Sequence, residues 1–239
     1  CSAPMVGTRP RRRPEERSAA QAARREGRSR QIFMARSMPL CALRDKPQTA
    51  MVRRMNAIAH PLIRLLPGRD RRVKAGHPWA FSNEIAMTPA AKALPPGSVV
   101  RLEGDDGVKH GVWHFNPHSL IAARRLDRNP DAGCDLAWFT MRLQEALHLR
   151  DKLFDRPHYR LIHAEADGLP GLVIDRYGDA VTIQANSAGM EVATPLILEA
   201  LHGLIAPRMV IARNDSAVRT LEGLPEETKL LHGEAGIIS

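Results

Sequence analysis

The sequence predicts an α+β protein in which a small barrel-like β domain is followed by an antiparallel α+β domain. Three observations carry this. Short apolar runs broken by glycine turns crowd between residues 62 and 125. Asp135 to Arg156 then places apolar residues at three- and four-residue intervals, the period of a helix. Directly after it, YRLIHAEADGLPGLVIDRYGD (Tyr159 to Asp179) reads as strand, polar turn, strand and second turn.

The first 54 residues stand apart. They hold 14 Lys and Arg against 4 Asp and Glu, whereas residues 55–239 hold 21 against 22, so the net charge of +9 arises in this segment alone. With its Arg, Ala, Ser and Pro and no sustained apolar period, the segment is expected to be a disordered basic tail. It reads either as an arm that binds phosphates nonspecifically or as upstream sequence outside the working protein, since Met51 and Met55 lie just before the first recognisable strand.

From Pro61 the pattern changes. Leu62 to Leu66 reads as a strand closed by Pro67-Gly68. Arg69, Arg71, Arg72 and Lys74 then lead into Gly76-His77-Pro78-Trp79, a local basic patch inside a folding region. Val99–Glu103, Val108–Trp113 and Leu120–Arg125 supply further strands, the first two joined through Gly104-Asp105-Asp106-Gly107, whose Asp-Gly pair favours a hairpin.

In the second domain the Asp135–Arg156 helix carries Leu136, Phe139, Leu143, Ala146, Leu147 and Phe154 as an apolar stripe that needs a surface to cover. The meander, extended by a strand at Ala180–Gln184, is that surface. A second helix is expected to begin between Gly189 and Thr194 and end near Ala206, with Thr194-Pro195 as a cap and first-turn proline. Met209–Ala212 reads as a strand, and Leu230–Ser239 as the start of a further strand pair.

GHPWAFSNEI (Gly76–Ile85), EADGLPGLVIDRYGD (Glu165–Asp179) and RNDSAVRTLEGL (Arg213–Leu224) occur in this order. Together they resemble the N-terminal half of the ribosomal large-subunit RNA methyltransferase I family, over about Ile63 to Gly233. The resemblance implies a PUA-like RNA-binding domain at residues 55–130 and an α+β connector at 131–239. It implies that family members continue into a Rossmann-like catalytic domain, which is expected to be absent from this chain. It also implies a full-length enzyme that methylates carbon 5 of a cytosine in large-subunit ribosomal RNA with S-adenosylmethionine. The chain alone is then expected to bind RNA, to bind no cofactor and to hold no nucleophile. The alternative is a stand-alone RNA-binding protein without catalysis. A cytoplasmic location is the default: no uninterrupted apolar run approaches the roughly 20 residues of a membrane span. A homodimer is a further expectation.

The residues offer little chemistry beyond this. No GxGxG or GxGxxG occurs to approach a nucleoside cofactor. Cys134 is the one cysteine inside the resembling region and lies in the loop before the long helix, and the resemblance carries no catalytic cysteine over to it. Glu165, Asp167 and Asp175 form an acidic group that a metal-dependent enzyme would use, but a turn carboxylate and an Asp-Arg pair explain Asp167 and Asp175 more simply. His148, His158 and His163 lack ligand spacing, and no metal site is expected. RNA contact is therefore assigned to Arg69, Arg71, Arg72 and Lys74 for phosphates, Gly76 for close backbone approach, and His77 and Trp79 for stacking, with Trp79 equally suited to the β-domain core.

Overall fold

A computed structural model describes residues 60–234; the basic tail expected at 1–54 and the last residues, 235–239, lie outside the described part. The first sheet contains β1 (Leu62–Arg64), β2 (Trp79–Ala80), β3 (Ser98–Glu103), β4 (Lys109–Phe115) and β5 (Ala123–Asp127), in the order β1-β3-β4-β5-β2. The β3–β4 hairpin turns through Gly104–Gly107, with Gly107 at φ 77°, a left-handed conformation open to glycine. Two short helices, α1 (Arg71–Lys74) and α2 (Pro89–Lys92), fill the connections. Thr88 caps α2 by accepting a hydrogen bond from Ala91 N, and Pro89 opens it. Ile63, Leu65, Val100, Leu102, Trp113 and Phe115 alternate inward to form the core of this half.

In the second half α3 (Leu136–Leu153) precedes β6 (His158–His163), β7 (Leu172–Tyr177) and β8 (Ala180–Ala185); α4 (Ala188–Ile205), β9 (Met209–Asn214) and β10 (Glu227–His232) follow. The strands lie in chain order, β6 to β10. All neighbours are antiparallel except β8 and β9, which run parallel because α4 carries the chain back between them. The expectation of a wholly antiparallel sheet thus needs one correction. Asp135 caps α3 through Trp138 N at 3.0 Å, and Phe139, Leu143 and Ala146 are buried as the stripe predicts. Phe154 falls just past the helix end and stays half exposed, while Trp138 is buried in its place.

Two boundaries differ for local reasons. α4 begins six residues before Thr194, because Ser187 accepts a hydrogen bond from Met190 N and caps it first. Pro195 therefore sits inside the helix, and Thr194 Oγ1 donates to the Met190 carbonyl at 3.0 Å. β5 starts at Ala123 rather than Leu120, because Asn116 and Ser119 hold the preceding loop to Glu222 and leave Leu120 exposed. Among the described residues α4 alone is long and apolar enough to cross a membrane; Met190, Ala193, Ile197, Ala200 and Leu201 are buried against the sheet, as a core helix requires.

The two sheets share packing. Val112 and Leu126 of the first sheet lie in the core of the second half. At the start of α4, Gly189 abuts the His114 imidazole so closely that a Cβ would collide with the ring. A Cβ on Gly97 would come within 2.6 Å of the Ala188 carbonyl oxygen. Both contacts require glycine, and both fix the β domain against the second helix.

Candidate nucleic-acid interface

The basic patch expected at residues 69–79 is divided by the fold. Arg72 forms a two-pronged ion pair with Glu84, both contacts at 3.1 Å, and stacks over the Phe81 ring. Glu84 also accepts from Phe81 N, which closes the 3-10 turn at Ser82–Glu84. Lys74 lies 2.5 Å from Asp70 and 2.8 Å from Asp106, and these hydrogen bonds raise its pKa. Arg72 and Lys74 thus have carboxylate partners already. Arg69 and Arg71 are exposed and make no ion pair among the described residues.

Gly76 takes φ 94°, and its carbonyl accepts from Arg125 Nη2 at 2.8 Å. His77 Nδ1 lies 3.2 Å from Trp79 N. Trp79 is half-buried at the junction of the two halves: its indole donates to Glu165 Oε1 at 2.7 Å, and Arg124 lies over its ring. It therefore belongs to neither core.

A second set of cations was hidden in the sequence. Arg125 and Arg128 follow one another around the end of β5 and line two adjoining hollows, of about 290 and 330 Å3. The first continues to Gly76, Lys109 and His110, and the second to Pro78, Arg142 and Glu165. Neither Arg125 nor Arg128 has a carboxylate partner among the described residues. Burial, and then the neighbouring Arg128, hold the Arg125 pKa below its ordinary value. Two like charges side by side, neither paired with a carboxylate among the described residues, form a locus that an anion relieves. Arg142 is anchored from behind: it reaches Asp127 Oδ2 at 3.0 Å, and Asp127 also accepts from Trp138 Nε1 and Asn129 N. The run Arg124-Arg125-Leu126-Asp127-Arg128 was the available signal, because strand alternation separates Arg124 and Arg125 onto opposite faces.

A family described as PUA-like domain matches residues 63–128. The ribosomal RNA large subunit methyltransferase I of Aliivibrio fischeri is 38% identical over 72% of this chain, and that of Vibrio cholerae is 37% identical over 73%. Over this stretch the chain is similar to ribosomal RNA large subunit methyltransferase I. It spans 44% of the length of these relatives. A solved Streptococcus mutans structure, described as a SAM-dependent methyltransferase, shares the fold with a TM-score of 0.59 at 15% identity, over 74% of this chain and 44% of its own.

The stretches that carry the resemblance to ribosomal RNA large subunit methyltransferase I are mostly structural. In Arg213–Leu224, the fully buried Arg219 bonds to the Ala185 and Pro225 carbonyls and pairs with Glu191 at 3.0 Å. Glu222, also buried, accepts from Asn116, Ser119 and Arg124. Burial alone would raise the Glu222 pKa, but these donors hold it low. In Glu165–Asp179, Asp167 takes Arg150 in a two-pronged pair at 2.8 and 2.7 Å and accepts from His163 N, while Asp175 pairs with Arg160. The acidic group is therefore split among separate arginines and does not converge on a metal.

Cys134 is buried, and its thiol pKa is pushed up to about 12 by burial and the nearby Asp127 and Asp135 carboxylates. Such a thiol is protonated at neutral pH and is not a nucleophile. The turn from β8 into α4 is occupied by His114 and by the Glu222 carboxylate, to which Ala188 N points at 3.4 Å.

Proposed function

We propose that this chain is the RNA-recognition portion of an S-adenosylmethionine-dependent, cytoplasmic methyltransferase acting on cytosine carbon 5 of large-subunit ribosomal RNA. The PUA-like domain, residues 55–130, grips the RNA backbone, and the α+β connector, residues 131–239, completes the wall of the groove. The observation that carries this is the juxtaposition of Arg125 and Arg128, both without a carboxylate partner among the described residues, beside the left-handed Gly76. Phosphates supply the missing counter-charge, and the absence of a Cβ at Gly76 lets the backbone come close. The exposed Arg69 and Arg71, before and at the start of α1, offer further phosphate contacts, whereas Arg72 and Lys74 shape the surface through their carboxylate partners.

The test is the salt dependence of binding to a single-stranded ribosomal RNA fragment. Arg128→Gln should weaken binding and reduce the slope of log K against log salt by about 0.7, the contribution of one phosphate contact. Arg208→Gln, which loses only an exposed pair with Asp179, should leave the slope unchanged. An unaltered slope in Arg128→Gln would remove this assignment.

A further inference from the structure

Beyond backbone contact, the groove has a feature that phosphate binding does not use. The hollow of about 330 Å3 adjoins another of about 400 Å3, and the two share Arg142, Glu165 and Gly168. A space of this size is at the lower end of the range that holds a small ligand. The carboxylates around it differ in what they have left to offer. Both Asp167 oxygens are taken by Arg150, and both Asp127 oxygens by Asn129 N, Trp138 and Arg142. Glu165 is different: Oε1 accepts from Trp79 Nε1 at 2.7 Å and lies 3.6 Å from Arg124, while Oε2 accepts from no donor among the described residues. A partly exposed acceptor thus stands in a hollow that is also lined by Arg125 and Arg128, neither with a carboxylate partner among the described residues.

The geometry points to a subsite for one unstacked nucleotide of single-stranded RNA, with its phosphate on Arg125 and Arg128 and an exocyclic amino group donating to Glu165. This deepens the RNA-binding reading and rests on it. The carboxylate is an acceptor only. It therefore selects bases that present an N–H2 edge (cytosine, adenine or guanine) over uracil, whose exocyclic groups are both acceptors. Because the same arginines line the hollow that runs on to Gly76 and Lys109, the ligand is a strand that continues past the cleft rather than a free nucleotide. Stacked, paired bases in an A-form duplex cannot present an edge this way, so single strands are preferred.

The test is fluorescence anisotropy with the 239-residue chain and eight-nucleotide strands of cytidine, adenosine and uridine, and with an RNA duplex of the same length. Cytidine and adenosine strands should bind about three- to tenfold more tightly than uridine, the range of one hydrogen bond. Glu165→Gln retains a carbonyl to accept from Trp79 but replaces the free oxygen by an N–H2 donor, so the preference should vanish or turn toward uridine. Equal affinities for the three strands, or a preference unchanged in Glu165→Gln, would overturn the subsite while leaving backbone binding standing. If no RNA binds, or if binding is indifferent to Arg128→Gln, the underlying RNA-binding reading fails and the subsite with it.

Discussion

Arg124 on β5 places a guanidinium nitrogen 3.0 Å from the carboxylate of Glu222, 98 residues further along the chain, and both side chains are almost entirely buried. The pair joins the first sheet to the 3-10 turn after β9. Asn116 and Ser119 bond to the same carboxylate, so the charge is neutralised and its lone pairs are occupied. The two halves of the groove are held by this contact and by the glycine contacts at the start of α4, which keeps Arg125, Arg128 and Arg142 in one arrangement.

His114 should make this junction sensitive to acid. Its imidazole is buried between Arg124, Glu222 and Gly189, and burial pushes its pKa down to about 4 from an ordinary 6.5. The unfolded chain therefore takes up a proton that the folded one refuses. The stability that depends on the neutral ring is complete above pH 6.5 and is lost as pH falls toward 4, by about 3 kcal/mol at 1.36 kcal/mol per pH unit. Glu222, whose folded pKa is depressed, adds a further loss below about its ordinary 4.5. Urea unfolding at pH 7.5 and pH 5 should show the fall, and His114→Gln should flatten it in this window.

Two glycines of α4 should respond in opposite directions. Gly189→Ala drives a methyl group into the His114 ring and should destabilise the protein by about 1–3 kcal/mol or more. Gly203→Ala meets nothing within 4 Å in the same helix and should stabilise it by about 0.5–1 kcal/mol. Thermal unfolding of the two variants is a direct comparison, since helix propensity is the same at both and only the space differs.

Asp167→Ala should act on stability rather than chemistry. It leaves Arg150, about nine-tenths buried, without its carboxylate, and frees His163 N as well. Losing one partner of a buried pair costs about 3–5 kcal/mol. Denaturant titration should show a loss of this order, and RNA affinity measured below the transition should change little.

Much of the architecture was legible in the sequence because its signals are local. The Asp-Gly turn at Asp106-Gly107, the cap at Asp135 and the apolar stripe of Phe139, Leu143 and Ala146 each depend on residues a few positions apart. The start of α4 was not, since Ser187 and Thr194 are both acceptable caps and only packing against His114 favours the earlier one. The site was less legible for the same reason. Arg72 looks free in the sequence, yet its partner Glu84 lies 12 residues away, and Lys74 adds to its near neighbour Asp70 a second partner, Asp106, 32 residues away. Arg142 meets the β5 arginines only when α3 folds back on the first sheet through Asp127.

The central claim, that RNA lies along the groove between the two halves, is tested most directly by photo-crosslinking. A ribosomal RNA fragment carrying 4-thiouridine would be crosslinked to the whole chain, and the attached peptides identified by mass spectrometry. The account predicts crosslinks within Gly76–Trp79 and Arg124–Arg128, and at Arg142 or its neighbours on α3. Crosslinks confined to residues 1–59, or to the surface of α4 and β10, would contradict it.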